Sequence, residues 1–161
     1  MITAHWDSVA QHEECIASEL NRAAMESILA HIIPSELKLT HIDGVQMFPA
    51  ETLEAGLLSV VRLLVKGGAD SKTKVEETWT ARVKKLLAGA AGLDHIAGWR
   101  IGEGETRDKG GSEEFVVVGA WKDKIALEAF VNGTWKHAHD WDDTWKDVVL
   151  ETNVKTYDRV E

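Results

Sequence analysis

Residues 57–68 read Leu-Leu-Ser-Val-Val-Arg-Leu-Leu-Val-Lys-Gly-Gly. Val61, Leu63 and Val65 alternate with Leu58, Val60 and Leu64, so both faces are apolar. A strand covered on both sides reads this way. Arg62 is the charge that breaks it, and Gly67-Gly68 ends it. Downstream, Thr73 and Glu76 have capping-box spacing, and Val75, Trp79, Val83, Leu86 and Ala90 keep the period of a core-facing helix until Gly89 and Gly92. Two strands are predicted next, Ile96–Gly102 and Glu114–Trp121, joined by the polar, glycine-rich segment Glu103–Ser112. Asp123 caps a helix carrying Ile125, Leu127 or Ala129, and Phe130. A β-branched run at Val148, Val149, Thr152, Val154 and Thr156 closes the chain. Residues 57–157 thus spell βαββαβ, the ferredoxin-like unit of an α+β fold.

Upstream of that unit, Ile2–Trp6 is predicted as a strand running into a helix whose start is marked by Ser8 and Gln11. Ser18 opens a second helical run, with Leu20, Ala24, Ile28 and Ile32 every four residues and Pro34 as its stop. Leu37–Val45 alternates as a strand that puts Leu37, Leu39 and His41 on one face. Trp6, Glu13, Cys15 and Ile16 recur as Trp121, Glu128, Phe130 and Val131 at a constant offset of 115. Residues 1–48 are therefore expected to be an incomplete first copy of the unit that 57–157 completes. That copy lacks its first strands, either through a clipped start or because a partner supplies the edge.

The 161 residues carry 18 Lys+Arg against 27 Asp+Glu, a formal charge of −9. A chain of this length can bury about 70% of its unfolded surface without disulfides or metal. Its lysines are interspersed with acids, so nucleic acid and anionic membrane are not expected partners. One cysteine, no export-type segment and no run of about 18 apolar residues predict a cytoplasmic protein. Seven Trp against one Tyr supply large aromatic surfaces for cavities or interfaces.

The stretch Trp6-Asp7-Ser8-x-x-x-His12, then His41, then Arg62 in an apolar strand, then Gly98-Trp99-Arg100-Ile101 and Phe115–Trp121 resembles the dimeric α+β barrel superfamily. It is most similar to fungal two-repeat members related to antibiotic-biosynthesis-monooxygenase and stress-responsive barrel domains. The resemblance implies tandem ferredoxin-like repeats, the first truncated, in a homodimeric barrel. It implies one of several functions: cofactor-free monooxygenase, polyketide cyclase, decarboxylase or lyase, or a ligand-binding barrel with no reaction. The histidine and tyrosine that plant-type polyketide cyclases of this superfamily use fall here on Asn21 and Cys15, and Leu127 stands where the first copy has His12. Fold does not settle function.

Among candidate residues, His41 shares the strand face of Leu37 and Leu39, and an imidazole aimed at a cavity is a general acid or base near neutrality. A satisfied core histidine is the competing reading. His12 and His5 flank Trp6 at the strand-to-helix corner. Arg62 is either an anchor for a substrate oxyanion or the partner of an internal acid, and Arg100 is a second candidate anchor. Trp6, Trp79, Trp99 and Trp121 are candidate walls for a flat aromatic substrate, or core. His137 and His139 lie among Asp140, Asp142 and Asp143, a solvated acidic turn with no third ligand fixed by spacing, so no metal is expected. The glycines near 102–111 precede no helix start and match no phosphate loop. Cys15 beside Glu13 and Glu14 is a poor nucleophile. The expected function is a cofactor-independent enzyme of secondary metabolism, a cyclase, dehydratase or decarboxylase acting on an aromatic or polyketide-like molecule. His41 or His12 would move the proton, and Arg62 or Arg100 would hold the oxyanion. A cofactor-free monooxygenase and a non-catalytic barrel are the alternatives.

Overall fold

The computed structural model describes residues 6–30, 40–43, 55–89, 92–101, 111–135 and 143–158. The chain divides into two compact units, Ile2–His41 and Ile42–Glu161 apart from Met1. The predicted strands Ile2–Trp6 and Leu37–Val45 lie largely outside the described residues, as do His5, Ile32, His137 and His139.

In the first unit, α1 (Val9–Ala17) and α2 (Glu19–Leu29) are joined through one residue. Ser8 caps α1 by accepting from the Gln11 amide, and the Gln11 carboxamide reaches back to the amide of Asp7 at 2.8 Å. The capping box therefore closes one residue further out than its usual form. Ser18 serves both helices, since its hydroxyl donates to the Cys15 carbonyl at 2.7 Å and accepts from the Asn21 amide at 3.1 Å. The expected apolar stripe of α2 is not packed at its start, where Leu20 is 83% exposed. Residues at four-residue spacing wind around a helix by about 40° per step, so Leu20 and Ile28 stand about 80° apart.

The sheet has five strands in the order β1-β3-β4-β2-β5, formed by β1 (His41–Ile42), whose first residue is the last of the first unit, and by β2 (Leu57–Val65), β3 (Gly92–Ile101), β4 (Glu113–Trp121) and β5 (Val149–Asp158) of the second. β4 pairs antiparallel with β2 and β3, and β5 pairs antiparallel with β2. With the helices between β2 and β3 and between β4 and β5, this is the ferredoxin-like arrangement. The 57–68 stretch occupies the sheet interior because its two apolar faces need cover on both sides, and Leu57, Leu63 and Val65 are buried.

The connection after β2 corrects the expected capping box. Gly68, at φ +113°, turns the chain, and α3 (Ala69–Thr78) starts there with no side-chain cap. Thr73 lies inside the helix rather than at its N-cap, and Asp70 supplies the acid that favours a first turn. α3 passes through a π-helical turn (Trp79–Val83) into α4 (Lys84–Gly89). Val75, Trp79, Val83 and Leu87 face the core at strict four-residue spacing, a pattern that would drift around an α-helix. The wider turn at Trp79–Val83 absorbs the drift, so Leu87 replaces the expected Leu86 as the buried residue.

β3 begins four residues before the predicted Ile96, and its pairing with β4 is irregular between Gly92 and His95. Asp123 caps α5 (Lys124–Ala129) by accepting from the Ala126 amide at 2.8 Å. Ser8 and Asp123 are thus both N-caps accepting from the third residue on, and they stand 115 apart. In α5 the core side is Ala126, Leu127 and then Phe130, while Ile125 is 76% exposed, contrary to expectation. A second π-helical turn (Phe130–Trp135) and an unpredicted short helix, α6 (Asp143–Val148), lead into β5.

The helix-side face of the sheet holds two apolar clusters. Leu63, Val65, Val75, Phe115, Val117 and Val148 form one, and Leu57, Val83, Leu87, Trp121 and Phe130 form the other. On the opposite face, Val60, Val116 and Val118 pack with Ile42 and Ile96. Each fully buried Val or Leu contributes about 1.5–3 kcal/mol, so these clusters hold the sheet.

Candidate functional site

The sequence-predicted site residues fall into four separate places. The first is in the N-terminal unit, where His12 Nδ1 lies 2.6 Å from His41 Nε2, although 29 residues separate them. One nitrogen donates and the other accepts, so the two imidazoles share a proton position. α1 aims His12, and Trp6 stacks on the His12 ring with centroids 4.6 Å apart and planes 17° apart. His41 meets the same ring edge-on at 4.9 Å. Both histidines are half-buried. A stacked indole on one side and a hydrogen bond on the other fix the His12 ring plane.

The second place is on the helix side of the sheet, where an open cavity of about 280 Å³ lies between α3 and the edge of β3. Trp79, Trp99 and Phe115 line it with Ala97, Gly98, Thr80, Asp43 and Glu76. The strand register places Trp99 opposite Phe115, so their side chains emerge on the same face, and the rings meet at 5.0 Å and 65°. Trp79 reaches Phe115 from the π-helical turn at 5.9 Å and 63°. The Trp99 indole N–H donates to Glu76 Oε1 at 2.7 Å, and the Asp43 amide donates to the Trp99 carbonyl at 2.8 Å. The ammonium of Lys72 sits 5.1 Å above the Trp99 ring while paired to Glu113 at 2.8 Å. Glu76, Asp43 and Phe115 were not among the site residues read from sequence. Glu76 stands one residue after Val75 on a helix face, and only the fold brings it to β3.

The third place is on the other face of the sheet. Arg62 pairs in register with Val116, one residue beyond Phe115, and Arg100 follows Trp99, so strand alternation points both arginines away from the aromatic cavity. They converge on one carboxylate: Arg100 Nη1 is 2.7 Å from Glu114 Oε2, and Arg62 Nε is 3.6 Å from Glu114 Oε1. Two cations share one buried anion. The sequence signal for this was an acid, Glu114, at the head of an apolar strand.

Trp121 is the fourth. It is 2% exposed, donates its indole N–H to the Ser59 hydroxyl at 2.8 Å, and packs against Phe130 and His95. It stands in the core, in the cluster of Leu57, Val83 and Leu87 rather than among the cavity's walls. Among the described residues no group of three His, Cys, Asp or Glu is placed to hold a metal ion, and no helix is long and apolar enough to cross a membrane.

No family model matches the chain, and no curated protein matches it. Several solved structures are similar. A monooxygenase of Streptomyces coelicolor in complex with nanaomycin D is 15% identical, with a TM-score of 0.48 over 70% of this chain and 96% of that one. A cofactor-independent oxygenase from Streptomyces nogalater is 18% identical, with a TM-score of 0.43 over 66% and 96%. A dimeric protein of unknown function and ferredoxin-like fold from Bacteroides fragilis is 10% identical, with a TM-score of 0.45 over 65% and 97%. The ferredoxin-like arrangement itself is read from the strand order of this chain.

Proposed function

We propose that this protein is a cofactor-independent enzyme that moves protons on a small aromatic molecule, with His41 and His12 as its acid/base pair. The observation that supports this reading is the 2.6 Å contact between His12 Nδ1 and His41 Nε2. Two imidazoles in that contact can pass a proton, which is what cyclisation, dehydration or decarboxylation of an aromatic or polyketide-like substrate requires. Trp6 holds the plane of His12, and the cavity lined by Trp79 and Trp99 is read as a small-molecule binding site in its own right. A homodimer related to the two-repeat α+β barrels, acting in secondary metabolism in the cytoplasm, completes the reading.

The test is turnover of a panel of aromatic polyketides, in air and without oxygen. Product formed at equal rates under both conditions, and lost in His41→Gln, is the expected result. Product that appears only with oxygen consumption assigns the monooxygenase instead. No turnover across the panel assigns a binding protein and overturns the enzymatic reading.

A further inference from the structure

We propose that the cavity between α3 and β3 is a site for a small organic cation, a quaternary or protonated amine carried on an apolar body. The inference rests on the reading of this cavity as a binding site and is independent of the histidine pair. Its walls are the rings of Trp79, Trp99 and Phe115, and among the described residues that line it the ionisable ones are Asp43 and Glu76, both acids. A substrate phenolate or carboxylate would face two negative charges there. A cation would meet two carboxylates and the aromatic rings of Trp79, Trp99 and Phe115.

Trp99 is the centre of the arrangement. Its indole N–H is held by Glu76 Oε1 at 2.7 Å, and its backbone carbonyl accepts from the amide of Asp43 at 2.8 Å. Both acids are thereby tied to the same residue, one through its ring and one through its strand. The hydrogen bond from the indole also pushes electron density into the ring, whose face attracts cations most strongly among aromatic side chains. The protein already uses that property: the Lys72 ammonium stands 5.1 Å from the Trp99 centroid. The ring is therefore a working cation platform, and Lys72 itself is satisfied by Glu113 at 2.8 Å. The net charge of −9 draws cations toward the molecule in general. A volume of about 280 Å³ suits a ligand the size of choline or a benzylammonium, at the small end of ligand cavities.

The experiment compares choline and benzyltrimethylammonium with 3,3-dimethylbutan-1-ol, the uncharged carbon analogue of choline. Calorimetry and tryptophan fluorescence are read on the full chain. The expected result is a preference of about 2- to 30-fold for the cations over the neutral analogue, the range of a cation–π contact. Trp99→Leu should reduce the preference severalfold, the carboxylates of Asp43 and Glu76 keeping the remainder. Trp99→Phe, which keeps a ring, should retain more of it. Glu76→Gln keeps an oxygen for the indole N–H and removes only the charge, so it should weaken cation binding and leave the neutral analogue unchanged. Circular dichroism matching the wild type establishes that each variant is folded. Equal binding of the cations and the neutral analogue overturns the cation assignment while leaving the cavity as a binding site. Binding of none of the three overturns both.

Discussion

The guanidinium of Arg100 donates to Glu114 Oε2 at 2.7 Å across neighbouring strands, on a carboxylate whose side chain is 4% exposed. Arg62 approaches the other oxygen from the opposite strand at 3.6 Å. The central strand therefore carries the anion and its two neighbours the cations. Removing one partner of a buried pair leaves the other charges without compensation. Glu114→Ala is expected to lower unfolding free energy by about 3 kcal/mol, the lower end of the range because Arg62 keeps some contact with water. Replacing all three residues by Leu should recover most of that loss, because the penalty is one of unpaired charge. Urea denaturation of the single and triple variants checks both statements.

The turn between β2 and α3 separates two reasons for needing glycine. A Cβ on Gly67 would stand 1.8 Å from the carbonyl oxygen of Gly111, a backbone atom that cannot step aside. A Cβ on Gly68 would meet nothing within 4 Å, but the backbone there is at φ +113° and ψ 152°. Gly68→Ala is expected to cost about 1–3 kcal/mol of torsional strain. Gly67→Ala should cost more, because the two chain segments must separate. Thermal and chemical denaturation of the pair should rank them in that order.

Ser18 closes one helix and opens the next with a single hydroxyl, whereas Ser8 and Asp123 cap one helix each. Loss of an ordinary N-cap costs about 1 kcal/mol. Ser8→Ala and Asp123→Ala should each fall near that value. Ser18→Ala should exceed it, since it removes both the bond to the Cys15 carbonyl and the bond from the Asn21 amide. Denaturant midpoints of the three variants test the ranking.

What could be read from sequence follows the range of the forces involved. The two-sided apolar run at 57–65 and the caps at Ser8, Ser18 and Asp123 are local signals, and the structure places them as read. The capping box at Thr73 misled, because a glycine turn five residues earlier, at Gly68, had already started the helix. The π-helical turn at Trp79 has no local signature: it exists because Val75, Trp79, Val83 and Leu87 must all meet one sheet. At the candidate site, the aromatic identity of Trp79 and Trp99 was legible, and so was Arg62 as a charge in an apolar strand. The acids at the cavity, the convergence of two arginines on Glu114 and the contact of His12 with His41 depend on strand register and on chain closure over tens of residues. Periodicity carries no record of either.

β5 is a ten-residue strand at the edge of the sheet, and Leu150, Val154 and Tyr157 on it are exposed. A long edge with apolar side chains is a template for another strand unless it is covered. A homodimer that covers it is expected by light scattering at micromolar concentration. Val154→Lys places a charge on that edge and should shift the equilibrium toward monomer while leaving circular dichroism unchanged. A wild-type monomer removes the dimer from the proposed reading.

The proposed chemistry makes its sharpest demand on the histidine pair. A positioned general acid or base contributes about 10²–10⁴-fold in rate, so His41→Gln should lower turnover at least about a hundredfold. Glutamine can still hydrogen-bond to His12 Nδ1, which preserves the contact observed at 2.6 Å, but it passes no proton. If the two imidazoles act as one relay, His12→Gln should lose a comparable factor, and the double variant should be scarcely worse than either single one. Independent roles would instead multiply the two losses. A pair that serves only to pin α1 would show the reverse pattern: turnover kept in both glutamine variants and stability lost in His12→Ala and His41→Ala. Measuring kcat and denaturant midpoint on the same four proteins and the double variant therefore distinguishes a relay, two separate groups and a structural clasp.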